Sequence, residues 1–250
     1  MNEYLLEIES NYSKFAKKWM VERKSANEKL QKQHNKVYFE SYKRIVSLQA
    51  WRECLLQNTI SSDSLAFFVE AQNDALVSHV LAQHGMWRSA LQSLRSMIEN
   101  VGFCLYYMDH RVELLLWNQG KYNPTISFFF KYLEDHPSVK DVAEKICSVQ
   151  ILKAEWEVLS RAVHGSSKSF RMTLSGELPT IFSAGKANLG AWDTRETNGI
   201  FGINLLLMCI FREHLNGTKM SNLRKAISLT VEKPKHKSIK EKINIHLYDN

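Results

Sequence analysis

The chain has 250 residues, 44% of them apolar and 24% charged, an ordinary composition for a soluble globular protein of one large domain or one and a half. The start is acidic and polar with no apolar run, which argues against a secretory signal. The longest apolar run, Ile200 to Phe211, is interrupted by Gly202 and Asn204 and falls short of a membrane span, so no membrane is expected.

Charge is unevenly placed. The balance is +4 over residues 1–49, −2 over 50–217 and +5 over 218–250, together the net +7. Basic ends suit a nucleic-acid backbone or an acidic protein surface, and they also serve solubility. Four prolines and ten glycines favour long helices over short strands. The four cysteines, Cys54, Cys104, Cys147 and Cys209, are far apart and form no Cys-x-x-Cys, which points to reduced thiols in a cytoplasmic protein.

In chain order, the periodicity predicts a first helix over 3–33 with Leu5, Ile8, Tyr12, Phe15, Trp19 and Met20 on one face and Lys14, Lys17, Lys18, Arg23 and Lys24 on the other. Apolar positions thin out from Glu22 to Lys36, so this part projects into solvent, pairs with a partner helix or frays. A second helix is predicted over 38–56. Ser61, Ser62 and Asp63 supply an N-cap for a third, in which Leu65, Phe68, Val69, Leu76, Val80 and Leu81 mark a buried face. A break at His84-Gly85 separates it from a fourth. There, Leu91, Leu94, Ile98 and Leu105 form an apolar stripe, and Arg88, Gln92, Arg95 and Glu99 form a polar stripe beside it.

Short amphipathic segments follow, closed by Gly120 and by His136-Pro137. Ser138 then caps a long helix to about Val163, with an irregularity near 148–150. The polar turn His164-Gly165-Ser166-Ser167 ends it. Residues 168–190 suit a loop or small β-hairpin. A helix resumes near Trp192 and runs to His214-Leu215, a last amphipathic helix covers 220–231, and the basic segment from Lys233 reads as a disordered or partner-ordered tail. The expected fold is all-α: an elongated multi-helix bundle around a central antiparallel helical hairpin. The expected organisation is an N-terminal helical extension over 1–58, the bundle over 59–232 and the tail over 233–250.

The strongest chemical constellation joins two distant stretches, the stripe Arg88, Arg95, Glu99 and the helix end Leu159-Ser160-Arg161-Ala162-Val163-His164. Arg161 and His164 share a face. If the two helices pack together, Glu99 would orient His164 or pair with Arg161. A histidine beside arginines suits metal-independent RNA cleavage, with the imidazole taking the ribose 2′-hydroxyl proton and the guanidinium groups stabilising phosphate charge. The same residues also suit a buried polar network that fixes helix register. Weaker groupings are Asp109, His110 and Glu113, better read as a solvated turn than a metal site; His79 and His84, at the wrong interval for one face; and a dense set of aromatics that suits packing better than base stacking.

Gly85 followed by Arg95-x-x-x-Glu99 and later by LSRAVHGSS, within residues 60–215, resembles the HEPN superfamily of prokaryotic helical domains. That family signature spaces its arginine and histidine further apart than Arg161 and His164, which only Ala162 and Val163 separate here. The resemblance implies a four- to five-helix bundle, a homodimer, and a place in a bacterial phage-defence or toxin–antitoxin system. It implies either a metal-independent RNase using His164, Arg161, Glu99 and Arg95, or a member that has kept only a binding role. RNA or DNA backbone would be met by Arg88, Lys168, Arg171, Lys233, Lys235 and Lys237. No metal and no cofactor is expected, since the sequence holds no P-loop, no glycine-rich dinucleotide turn and no G-x-S-x-G elbow. The alternative function is a non-catalytic subunit or adaptor docking onto a larger assembly, with a partner encoded by a neighbouring gene.

Overall fold

A computed structural model of the chain describes residues 3–140, 142, 146, 149–164 and 181–248. These are helices and their connections, with no strand among the described residues, so the fold is all-α. The hairpin of residues 168–190 falls partly outside them; 181–185 is irregular, and helix begins at Lys186, earlier than the sequence suggests.

Helix α1 spans Glu3 to Trp51 as two helical segments joined at a kink, where His34 leaves helical geometry (φ −134°, ψ 22°), within the polar stretch expected to separate them. Its first half stands in solvent. Burial begins at Ala26 and Leu30 and continues through Tyr38, Ile45, Leu48 and Trp51. A π-helical turn, Arg52–Leu56, then inserts Leu55 and Leu56 together into the core.

Helices α2 (Ser62–Gln83) and α3 (Trp87–Asp109) form the central antiparallel hairpin and make the most extensive helix pairing in the molecule. Ser61 Oγ caps α2 by accepting from Ser64 N at 3.2 Å. Gly85 (φ 73°) closes it in a Schellman arrangement, with Met86 N donating to Leu81 O and Gly85 N to Ala82 O. A second reason for glycine is space. A Cβ here would lie 2.4 Å from the carbonyl oxygen of Ser183.

The apolar stripe of α3 is buried as its spacing predicts: Leu91, Leu94, Ile98 and Leu105. The face expected for α2 is corrected. Phe68 is buried, but Val69, Leu76 and Val80 are exposed, and the helix packs through Ala71, Ala75, Ser78 and Ala82. Small side chains let two helices approach closely, and Ser78 uses that closeness: its Oγ donates to Ala90 O at 2.8 Å and accepts from Trp192 Nε1 at 3.0 Å. The bulkier stripe is left on the outside.

Helices α4 (Arg111–Asn118) and α5 (Ile126–Asp135) follow. The next helical turn, Pro137–Lys140, starts at a proline in the first helical position, and His136 rather than Ser138 caps it, its Nδ1 accepting from Ser138 N at 3.1 Å. Helix α6 (Val149–Val163) packs along α3 and α7. Helix α7 (Lys186–Ile210) is the inner post of the bundle, buried from Gly199 to Cys209, and it ends before the 3₁₀ turn Arg212–His214. Helix α8 (Ser221–Ser228) lies against α1.

The basic tail is also corrected. Lys233–Ile243 is helix α9, with Pro234 in its first turn and a left-handed cap at Asn244. His236, Ile239 and Ile243 recur at helical spacing on one buried face, and Ile245 and Leu247 continue into the core. The apolar burials of Ile239, Ile243, Ile245 and Leu247 offset the ordering entropy of a segment most of whose lysines face water. Leu30 to Leu56 and Ile239 to Leu247 belong to one continuous core with α3, α6 and α7.

Candidate functional site

Helix α6 does pack along α3, so the polar stripe and the end of the long helix are neighbours. The contacts divide the predicted cluster in two. Glu99 Oε1 accepts from Trp156 Nε1 at 2.8 Å and from Arg95 Nη2 at 2.8 Å, and the Arg95 guanidinium lies 5.4 Å from the Trp156 ring centroid. Glu99 Oε1 thus holds both neighbours, while the buried Arg95 Nε finds no hydrogen-bond partner among the described residues. Trp156 lies about two helical turns before His164, so Glu99 is not the group that orients the imidazole.

Arg88 goes elsewhere. Its Nη2 donates to Val163 O at 2.6 Å, neutralising the negative end of α6. Val163 is the residue before His164. Leu159 and Ala162 face the core, which turns Arg161 and His164 to solvent on the last turn. Arg88, Arg161 and His164 therefore meet at one exposed corner, while Arg95 and Glu99 are tied to Trp156.

Lys168 and Arg171 lie outside the described residues. Lys233, Lys235 and Lys237 project from the first turns of α9. The Lys235 amine sits 4.0 Å from the Phe201 ring centroid, and Lys237 pairs loosely with Glu241 at 4.0 Å. Lys235 also edges a cleft of about 370 Å³ with Ile151, Glu155, Asn198 and Thr230. At its base Glu155 Oε1 accepts from Asn198 Nδ2 at 2.7 Å and Oε2 meets Arg195 Nη1 at 2.9 Å; burial pushes its carboxyl up. This cleft opens near the middle of α6, about 12 Å along the helix from Val163.

Asp109 and His110 separate. His110 stacks on Tyr106 with centroids 4.0 Å apart and bonds its carbonyl, whereas Asp109 accepts from Tyr132 Oη and from His136 Nε2 at 3.2 Å. Among the described residues no group of three or more His, Cys, Asp or Glu side chains could hold a metal ion.

A cluster that the sequence reading missed lies between α1, α2 and α7. Gln83 Nε2 donates to His79 Nε2 at 2.8 Å, which fixes the neutral imidazole with its proton on Nδ1. Nδ1 then donates to Ser41 Oγ at 2.9 Å, and Ser41 donates to Glu196 Oε1 at 3.1 Å. Arg44 closes the network, with Nε on Glu196 Oε2 at 2.5 Å and Nη2 on Asp193 Oδ1 at 2.6 Å. Burial pushes the Glu196 carboxyl up to about 7 against the pull of Arg44, and burial pushes the His79 imidazole down.

Serine, histidine and carboxylate are assembled here, but not for nucleophilic chemistry. The serine proton points to the carboxylate instead of the imidazole, and Ser41 and Glu196 are each 0% exposed, so no substrate reaches them. The network fixes the register of three helices. Asn204 does the same about two turns further along α7, accepting from Trp51 Nε1 at 2.8 Å and donating to Ser47 Oγ at 2.9 Å.

No helix among the described residues is long and apolar enough to cross a membrane. No family model matches the chain, and no curated protein or solved structure matches it significantly.

Proposed function

We propose that this chain is a non-catalytic assembly subunit that binds a helix of its partner through the first half of α1. One observation carries this reading: ahead of Trp19, which packs on Phe182, the helix shows Leu5, Ile8, Tyr12 and Phe15 on one side, all exposed. A free helix of this length is marginal in water, and an apolar stripe along it is a stable arrangement once another surface covers it. The HEPN-like resemblance fits this reading through the family's members that have kept only a binding role, and it suggests a bacterial phage-defence or toxin–antitoxin assembly. The test is the native mass of the full chain in its own host, beside an Ile8→Asp/Phe15→Asp variant. The expected wild-type mass is that of a defined complex and the expected variant mass is that of the 29.0 kDa chain; two monomers would overturn the reading.

A second reading, metal-independent RNA cleavage, is favoured by the exposed corner where Arg88 meets the end of α6 beside Arg161 and His164. In that reading His164 moves the proton and the arginines hold the phosphate, with Lys233, Lys235 and Lys237 extending the contact to the nucleic-acid backbone. Incubation of total RNA with the wild type and with His164→Ala decides it. Equal cleavage, or none, removes it.

A further inference from the structure

We infer that the cleft between α2 and α4 is a binding site for a small methylated ammonium ion, held in the corner of Phe67 and Trp117 beneath the carboxylates of Asp63 and Glu70.

The spacing of Asp63, Phe67 and Glu70, four residues and then three, puts them on one face of α2. Leu114 and Trp117 come from α4, three residues apart and so on one face of that helix. With Asn118 these residues line a cleft of about 280 Å³. That is the low end of small-molecule sites, room for a headgroup-sized ligand and not for a nucleotide. The two rings meet at 64° with centroids 5.1 Å apart, so they form two walls of a corner. Neither wall depends on a ligand to hold its place. Phe67 stacks on Tyr107 at 5.4 Å and leans on Phe103 at 5.6 Å, and Tyr107, itself buried, lies 6.2 Å from Trp117. Leu114 is buried and adds an apolar surface, whereas Trp117 keeps 38% of its surface exposed.

The potential of this cleft is negative. Asp63 and Glu70 are exposed, and neither makes an ion pair or a hydrogen bond among the described residues. Asp63 stands in the first turn of α2, where the helix dipole favours an acid; Glu70, about two turns on, has no such reason to be there. No Lys or Arg lines the cleft, and Arg111, the one base of α4, lies about two turns from Asn118. Ring faces carry the negative part of the aromatic quadrupole, so the walls and the rim favour the same sign of ligand. Shape then narrows the class. A planar guanidinium stacks on one ring face, whereas a rounded cation touches both walls. A primary ammonium needs acceptors around its three protons, and Phe67, Trp117 and Leu114 offer none. Its N-methylated form needs none and packs its methyl groups on them.

The test titrates the purified full chain at low salt and follows the indole N–H resonance of Trp117, assigned by its loss in Trp117→Phe. Three probes are used: choline; 3,3-dimethylbutan-1-ol, which has the same shape without the charge; and ethanolamine, which has the charge without the methyl groups. Choline is expected to shift the resonance saturably with a Kd on the order of 1 mM. The neutral alcohol and ethanolamine are each expected to bind at least about 10-fold more weakly. Asp63→Asn/Glu70→Gln keeps the shape of two exposed side chains and removes their charge, and it is expected to weaken choline about 10-fold, with circular dichroism and thermal melts confirming the fold. Co-sedimentation with phosphatidylcholine vesicles separates a lipid headgroup from a free ligand: the small, enclosed cleft predicts binding of free choline and none to vesicles. No saturable shift up to about 50 mM choline, equal binding of either control probe, or choline binding unchanged by Asp63→Asn/Glu70→Gln would overturn the inference.

Discussion

Glu196→Gln should make the protein's stability less dependent on pH, in a direction set by the buried network. Glu196 is fully enclosed, with Arg44 and Ser41 on its carboxylate. Burial raises its carboxyl from an ordinary 4.5 to about 7. A raised carboxyl binds its proton more tightly in the folded state. Its contribution is therefore full below about pH 4.5 and is lost as pH rises through about 7, on the order of 3 kcal/mol over that window. His79 works in the opposite sense. Its lowered value makes the folded state bind a proton less well, so its contribution is present above its ordinary 6.5 and falls as pH drops. Because His79 is present in both proteins, the difference between wild type and variant isolates Glu196. Urea denaturation at pH 5 and pH 8 measures it. The glutamine matches a protonated carboxyl, so the variant should gain about 3 kcal/mol relative to the wild type between pH 5 and pH 8. A difference that stays constant across the two pH values, or grows the other way, would refute the reasoning.

Ile239→Ala should cost about 2–5 kcal/mol in the same denaturation assay, because Ile239 is 0% exposed in the core, whereas a disordered tail would tolerate the change. Gly85→Ala should lower the melting temperature by several degrees: it places a side chain at φ 73° and against Ser183 O, and the shift should be visible in Trp87 fluorescence because Trp87 Nε1 donates to that same carbonyl at 2.7 Å. Trp156→Phe removes a donor from Glu99 while keeping an aromatic ring under Arg95, and should cost about 1–2 kcal/mol by thermal unfolding.

The all-α class and the central hairpin were legible because α3 carries its apolar residues at an unbroken helical spacing and Gly85 punctuates it. The packing face of α2 was not, because hydropathy ranks Val69, Leu76 and Val80 above Ala71, Ala75 and Ser78, whereas close helix approach selects the smaller set. The tail misled through its lysines. They dominate its composition, but His236, Ile239 and Ile243 keep the helical interval that buries it. The polar stripe of α3 was placed correctly against α6, but side-chain reach could not be read from spacing, and Trp156 took the carboxylate expected near His164. The Ser41–His79–Glu196 network had one visible signal, an acidic residue leading into the apolar run of α7. Its partners lie on α1 and α2, 155 residues away in the case of Ser41, and periodicity within one helix carries no information about them.

The central claim is that the exposed half of α1 is covered when the protein functions. Hydrogen–deuterium exchange of the amides of residues 3–25, compared between the purified chain and its native complex, tests it most directly. The account predicts that exchange over residues 3–21 is slower in the native complex, while the amides of α3 and α7 are unaffected. Exchange over residues 3–21 that is equally fast in the native complex and in the purified chain would contradict it.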